Sequence, residues 1–297
     1  MAEVAPAPIL DRGIGPAVAV GDAVEVAPGV VRVTAPNASM MTGPGTNTYL
    51  IGSDSLVVLD PGPDLPAHRR ALLEAIGGRP VSHVLVTHTH ADHAPGATAL
   101  GRVLDAPLGG FGPGPSFAPD LLLIDGEVVG ASALRVLHTP GHASNHLCYL
   151  LEAEALCFTG DHVMHGSTVV IRPPDGEVAP YLASLERLAA LVPRLRSLAP
   201  GHGRLIGDPA GAIAEVLAHR RAREAVVLEV LVAHGDGSAA QLVPVVYRGL
   251  EPARLEIATV TLLAHLRHLV LTGHATCEVD PAAQTVDTPF TPIVRAS

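Results

Sequence analysis

The sequence predicts a mixed α/β fold, closer to α+β, with a helical appendage at its C-terminal end. Three patterns predict it. Short apolar, β-branched runs separated by Gly, Pro and Asp turns crowd the first two hundred residues. Helical periodicity interrupts them at only a few places. Beyond about residue 207 the strand pattern stops and long helical stretches take over. Residues 1–206 are therefore expected as one domain and 207–297 as a second, smaller one.

Taken in order, residues 1–20 read as a loosely ordered lead-in. Strands follow in AVEVA, VVRVTA, TNTYLIG and SLVVLD, between about 23 and 60. PAHRRALLEAI has helical spacing and ends at Gly77-Gly78. VSHVLVTH (81–88) is an apolar strand that runs into a histidine-rich loop. Further strands are expected at 121–129, 133–138, 146–151, 155–160 and 168–171, and helices near 92–101 and 180–192. LRSLAP is a last strand before Gly201-His202. Residues 208–234, 238–248 and 252–271 read as three helices. HATCEV and QTVDT then read as the arms of a β-hairpin.

Composition excludes several chemistries. All nineteen basic residues are arginine, so there is no lysine. Schiff-base and pyridoxal enzymes, Walker A loops, protein kinases and S-x-x-K β-lactamases all need one. The net charge of −10 is unfavourable for a nucleic-acid binder. Bound divalent metals would add positive charge that this count omits. Cys148, Cys157 and Cys277 make no disulfide framework, and the first two sit in apolar runs as buried thiols. The N-terminus does not read as a signal peptide, and no apolar run is long enough for a membrane span. The expected compartment is cytoplasmic.

The central signal is His88-Thr-His90-Ala-Asp92-His93, at a strand-to-helix junction. His88 and His90 are two apart, which puts both on one side of extended backbone. Asp92 and His93 follow in the turn. Imidazole and carboxylate are the ligands of catalytic zinc, iron and manganese. More candidates stand downstream at strand ends in Gly/Pro turns: His142 in HTPGH, Asp161 in FTGDH and His202 in APGH. Glycine beside each lets the chain turn tightly.

With HTHADH, TPGH, TGD and PGH in this order, the sequence resembles the metallo-β-lactamase-fold hydrolases over about residues 40–206. That resemblance implies a four-layer αββα sandwich holding two divalent metal ions. Zinc is the first expectation, and iron or manganese the alternatives. It assigns His88, His90 and His142 to one ion. Asp92, His93 and His202 go to the other, and Asp161 bridges them. Asp60, in VVLDPG, is implied to orient the metal-binding loop. The resemblance places the catalytic work on Asp92, Asp161 and Asp60, with a metal-bound hydroxide as nucleophile. A bridging aspartate argues against β-lactam hydrolysis as the main role. Among other residues, His146, His162 and His165 are weighed as neighbours of the site, and Arg172 as a contact for an anionic substrate group. The Gly43-Pro44-Gly45 segment reads as a turn feeding a strand.

The tail resembles that of the β-lactamase-like protein 2 group, which carries a winged-helix-like C-terminal domain. The group and its relatives include a single-strand-specific endoribonuclease and acyl-carrier thioesterases. The expected function is dinuclear metal-dependent hydrolysis. An RNA-like phosphodiester is the first substrate class, and an acyl thioester or lactone is the alternative. Residues 207–297 hold seven arginines against ten acids. The helix at 252–271 is mostly apolar, so it reads as a packing element and not as a groove reader. The expected partner is thus a small molecule or single-stranded RNA, without sequence-specific DNA or membrane binding. A homodimer is one way to cover that apolar helix.

Overall fold

A computed structural model describes residues 7–293. Its strands and helices run in the order β1 (Gly13–Ile14), β2 (Ala23–Ala27), β3 (Val30–Thr34), β4 (Asn47–Ile51), β5 (Leu56–Leu59), α1 (Pro66–Ile76), β6 (Val81–Leu85), α2 (Pro95–Leu104), β7 (Leu108–Gly110), β8 (Leu121–Leu122), β9 (Val128–Val129), β10 (Leu134–His138), β11 (Leu147–Leu151), β12 (Leu156–Gly160), α3 (Val178–Leu191), β13 (Ser197–Pro200), β14 (Leu205–Ile206), α4 (Pro209–His234), α5 (Ala239–Val246), α6 (Pro252–Leu271), β15 (Ala275–Thr276) and β16 (Thr291–Pro292). One sheet has the order β2-β3-β4-β5-β6-β7-β8, the other β1-β14-β13-β12-β11-β10-β9.

Each central strand is apolar on both faces, because each sheet is covered on both sides. Val57 and Leu59 of β5 point between the sheets, where Tyr49, Tyr149, Leu156 and Phe158 also pack. Their neighbours Leu56 and Val58 point outward onto Leu72 and Ile76 of α1 and Leu100 of α2. On the second sheet Cys148, Leu150 and Cys157 face Tyr181 and Leu185 of α3 and Ile213 and Val216 of α4. The layers are therefore helix, sheet, sheet, helix. Tyr49 and Phe158 meet edge-on between the sheets, ring centroids 5.1 Å apart. The two cysteines are free and buried, as expected.

Helix α4 spans two cores. Its first half joins the sandwich through Ala212, Ile213 and Val216. Its second half packs Val227 and Leu231 with Leu242 of α5, Leu262 and Leu266 of α6, and Phe290. Helix α5 starts at a capping box, in which Ser238 and Gln241 satisfy each other's backbone N–H groups.

Several expectations change. Residues 168–171 form no strand, because their carbonyls serve side chains: Val170 O accepts from His142 Nδ1, and Val169 O from Arg220. The run 121–129 breaks at Gly126 into β8 and β9, which belong to different sheets. The strand from 81 stops at Leu85, and the next helix starts at Pro95, a residue suited to the first helical position. Within the lead-in, Gly13–Ile14 pairs with Leu205–Ile206. The C-terminal pair joins Ala275–Thr276 to Thr291–Pro292, not to QTVDT, because Asp280 caps a short 3-10 turn at Pro281–Ala283 that redirects the chain. No described helix is long and apolar enough to cross a membrane.

Candidate metal centre

The predicted ligands, and Asp60 as the residue expected to orient their loop, all follow the carboxyl ends of strands. Asp60 follows β5, His88 to His93 follow β6, His142 follows β10, Asp161 follows β12 and His202 follows β13. The two sheets bring these ends to one edge of the sandwich. Ligand atoms of His88, His90 and His142 lie within 4.8 Å of one another, and those of Asp92, His93, Asp161 and His202 form a second such group. His88 Nε2 and His142 Nε2 stand 2.9 and 3.0 Å from His90 Nδ1. Ligands of a tetrahedral zinc at about 2.0–2.1 Å would be roughly 3.3 Å apart, so the spacing suits one ion. Asp161 reaches both groups. Its Oδ1 is 3.4 Å from His93 Nε2 and 3.3 Å from His202 Nε2, and its Oδ2 is 3.6 Å from His142 Nε2.

Four of the five imidazoles are held at the nitrogen that faces away from the cluster, and His90 Nε2 instead lies 3.9 Å from Asp175. His142 Nδ1 donates to Val170 O at 2.7 Å, and His202 Nδ1 to Gly45 O at 3.2 Å. His93 Nδ1 lies 2.9 Å from Asp60 Oδ2, and His88 Nδ1 3.0 Å from Thr87 Oγ1. Such bonds fix the tautomer and aim the free nitrogen inward. Meanwhile His93 Nε2, His202 Nε2 and Asp161 Oδ1 are buried with no hydrogen-bond partner. Buried polar atoms are rarely left unpaired. A cation at this point satisfies all three, so the residues present fit a metal.

The electrostatics divide the cluster: despite burial, Asp92, Asp161 and Asp60 raise His93 well above its ordinary pKa, and Asp161 and Asp92 take His202 to about 9, so an ion on these nitrogens displaces protons. Burial and the neighbouring imidazoles push His88 well below its ordinary pKa and His90 down to about 4, so both are neutral donors. Burial opposes ionisation of Asp161, yet His202 and His93 hold it well below the carboxylate range. Asp92 is drawn down to about 2, since His93 and His202 outweigh its burial.

Asp60 stands behind the cluster and not in it. It is 2% exposed and holds a left-handed φ of 52°. It accepts from Thr87 N at 2.6 Å, Thr87 Oγ1 at 2.8 Å and His93 Nδ1. Other supports went unrecognised in the sequence. Thr48 Oγ1 donates to Asp60 O and meets His68 Nε2. Asn47 and Tyr49 donate to the carbonyls of Pro200 and Gly203 and so grip the loop carrying His202. All five residues of β4 are buried, and polar residues in a doubly buried strand were the available signal.

The weighed histidines separate. His146 Nε2 accepts the Asp161 backbone N–H at 3.2 Å while its Nδ1 bonds Thr139, so it positions Asp161. His162 is buried between His146 and Tyr181. His165 turns away to Asp11. The Gly43-Pro44-Gly45 turn supplies the carbonyl that orients His202. Gly45 has φ 134°, and a Cβ there would come 2.1 Å from Ala35 O, so only glycine fits.

Two cavities adjoin the centre and share Met41, His142, Asp161 and Val170. One, of about 610 Å3, opens past Asp92, Arg172 and Asp175. The other, of about 360 Å3, runs to α4 and α6.

A family model described as the metallo-beta-lactamase superfamily matches residues 41–202. The chain is 33% identical to an atrochrysone carboxyl ACP thioesterase of Cryptosporiopsis sp. (strain 8999), over 71% of its own length and 65% of the relative's. It is 32% identical to a second atrochrysone carboxyl ACP thioesterase, from Aspergillus terreus, over the same 71% and 65%. It thus spans just under two thirds of each of these relatives. Among solved structures, a beta-lactamase domain protein from Burkholderia ambifaria is similar with a TM-score of 0.74 and 27% identity, over 93% of this chain and 94% of that one. Fold, ligand cluster and matched region agree, and the chain belongs to the metallo-beta-lactamase superfamily of hydrolases.

Proposed function

We propose that the chain is a metal-dependent thioesterase acting on acyl groups carried by an acyl carrier protein. The observation that carries this reading is the similarity to curated relatives named as acyl carrier thioesterases. It favours the thioester alternative over the RNA-like phosphodiester that the sequence put first. The paired cavities support it too, since a thioester has two limbs that must leave the reacting carbon in different directions.

In this reading His88, His90 and His142 hold one ion. Asp92, His93 and His202 hold the other, with Asp161 between them. Zinc is the ion the His/Asp donor set suits first, with iron and manganese as alternatives. Divalent ions in such a site lower the pKa of water toward about 7 and polarise a carbonyl. The chain's own residues fix the geometry. Asp60 and Thr87 anchor the 88–93 loop, His146 holds the Asp161 backbone, and Gly45 O holds His202. Arg172 lines the wider cavity, where it would meet an anionic group of the incoming substrate.

A screen of the metal-loaded protein against acyl thioesters, lactones and single-stranded RNA, with and without chelator, tests the reading. Chelator-sensitive thioester hydrolysis that falls at least about 100-fold in Asp161→Ala is expected, more than the loss from a group that only orients a ligand. Cleavage of RNA with no thioester turnover would overturn it.

A further inference from the structure

The narrower cavity ends on helix α4 at two arginines and a histidine that no acid balances. Arg220 is 2% exposed. One of its amino groups donates to Val169 O, its guanidinium carbon lies 5.2 Å from the Tyr181 ring centroid, and its buried Nε has no partner. One turn along the same helix face, Arg223 lies 4.1 Å over the Tyr247 ring and donates to Val246 O. His219 Nδ1 is also buried without a partner. All three line the cavity, and the one carboxylate that lines it with them is Asp161, in the metal centre. Among the described residues neither arginine is ion-paired to a carboxylate.

Burying a guanidinium without an anion is costly. Carbonyls and aromatic faces supply only partial compensation here. The remaining wall mixes apolar residues, among them Met164, Val169, Leu250 and Ile257, with Ser167, Thr168, Thr261 and Arg254, the last paired to Glu251. A partly apolar channel from the metal centre, with the unpaired Arg220 and Arg223 on its α4 wall, suits an acyl group that terminates in an oxyanion.

We infer that the cavity is an acyl-binding channel whose Arg220–Arg223 end recognises a second anionic group of the substrate, a carboxylate or phosphate, remote from the bond that is cleaved. The inference rests on the thioesterase reading for its substrate, but the anion subsite itself does not. Arginine provides the two-pronged donor geometry that such groups accept. Selectivity then comes from charge at the far end of the acyl chain, and a neutral chain of equal length leaves the arginines unpaired.

The test uses matched N-acetylcysteamine thioesters of equal chain length: succinyl against butyryl, adipyl against hexanoyl, and suberyl against octanoyl. A second arm compares hexanoyl-pantetheine with hexanoyl-phosphopantetheine, which moves the anion to the thiol side. The proteins are metal-loaded wild type, Arg223→Gln and Arg223→Lys, with thermal melts to confirm folding. In at least one matched pair the charged member should be preferred by about 10- to 100-fold in kcat/KM, the range of a charge-assisted hydrogen bond. The preference should fall toward one in Arg223→Gln and persist in part in Arg223→Lys. A preference confined to the phosphopantetheine arm, and lost in Arg223→Gln, places the thiol limb in the cavity and overturns the acyl-channel assignment. Absence of any preference in wild type, or a preference that Arg223→Gln retains, overturns the proposal. If no thioester is hydrolysed, the thioesterase reading fails. Calorimetric binding of adipate then decides the subsite: weaker binding to Arg223→Gln upholds it, and equal binding overturns it.

Discussion

Replacing Asp60 by asparagine should weaken one metal position and spare the other. The carboxylate serves three donors, at 2.6, 2.8 and 2.9 Å. An amide keeps one acceptor oxygen and turns the second position into a donor. With the oxygen kept toward Thr87 N–H, the NH2 faces Thr87 Oγ1 and His93 Nδ1. The hydroxyl can rotate to accept. His93 can accept only by moving its proton to Nε2, the nitrogen that points at Asp92 and Asp161. That proton occupies the lone pair a metal needs. The alternative keeps the tautomer and leaves two buried donors facing each other, at a cost of about 1–3 kcal/mol. Either route weakens the site containing His93 by roughly 10- to 100-fold. Asparagine tolerates the left-handed backbone at residue 60, so the fold is not the confounding factor. Zinc titration against a chromogenic chelator, with imidazole nitrogen shifts read by NMR, measures both quantities. Two zinc affinities within twofold of wild type, with the His93 tautomer unchanged, would refute the reasoning.

Removing the metal should lower the melting temperature. At free zinc 100-fold above Kd, the linkage is about 2.7 kcal/mol, or roughly 4 °C for a chain of this size, and a melt unchanged by chelator speaks against the centre. Gly201→Ala puts a Cβ 2.7 Å from both Asp161 Oδ1 and His93 Cε1. It should reduce metal content measured by emission spectroscopy while the protein still folds, and full occupancy would contradict the packing. Burial tends to raise the pKa of Glu224, but the nearby His265 and the hydrogen-bonded His268 outweigh it and take it from the ordinary 4.5 to about 2. A depressed folded-state pKa adds stability above pH 4.5 that is lost as pH falls toward 2. Glu224→Gln should therefore flatten the acid limb of denaturant-monitored stability in that window, and an unaltered limb would count against the Glu224–histidine contact.

The candidate ligands were legible because each is local. A histidine or aspartate beside glycine at a strand end is a pattern within five residues, and the order of four such patterns fixed the fold. Their supports are not local. Thr48 meets Asp60 and His68 across separate elements, and Asn47 reaches Pro200 and Gly203. His146 could be weighed in the sequence only as a neighbour of the site, because only the folded chain brings its Nε2 to the Asp161 backbone. The misread strand at 168–171 has a physical cause of the same kind. Its β-branched residues favour extended backbone, but its carbonyls are taken by His142 and Arg220 before a neighbouring strand can use them.

The C-terminal region shows most sharply how a correct count can mislead. Seven arginines against ten acids gave a net negative segment, which argued against a nucleic-acid groove reader. Charge acts over the nearest few ångströms in a poorly solvated cavity, not over a segment total. Several of the acids are spent elsewhere: Asp208 and Glu215 on Arg12, and Glu224 on His268. Helical spacing places Arg220 and Arg223 together on the inner face of α4, and the cavity collects their charge beside the metal centre. A tail that reads as acidic in sum therefore presents a cationic wall to the substrate. The same segment both covers the apolar faces of α4 to α6 and sets the chemistry at the far end of the channel.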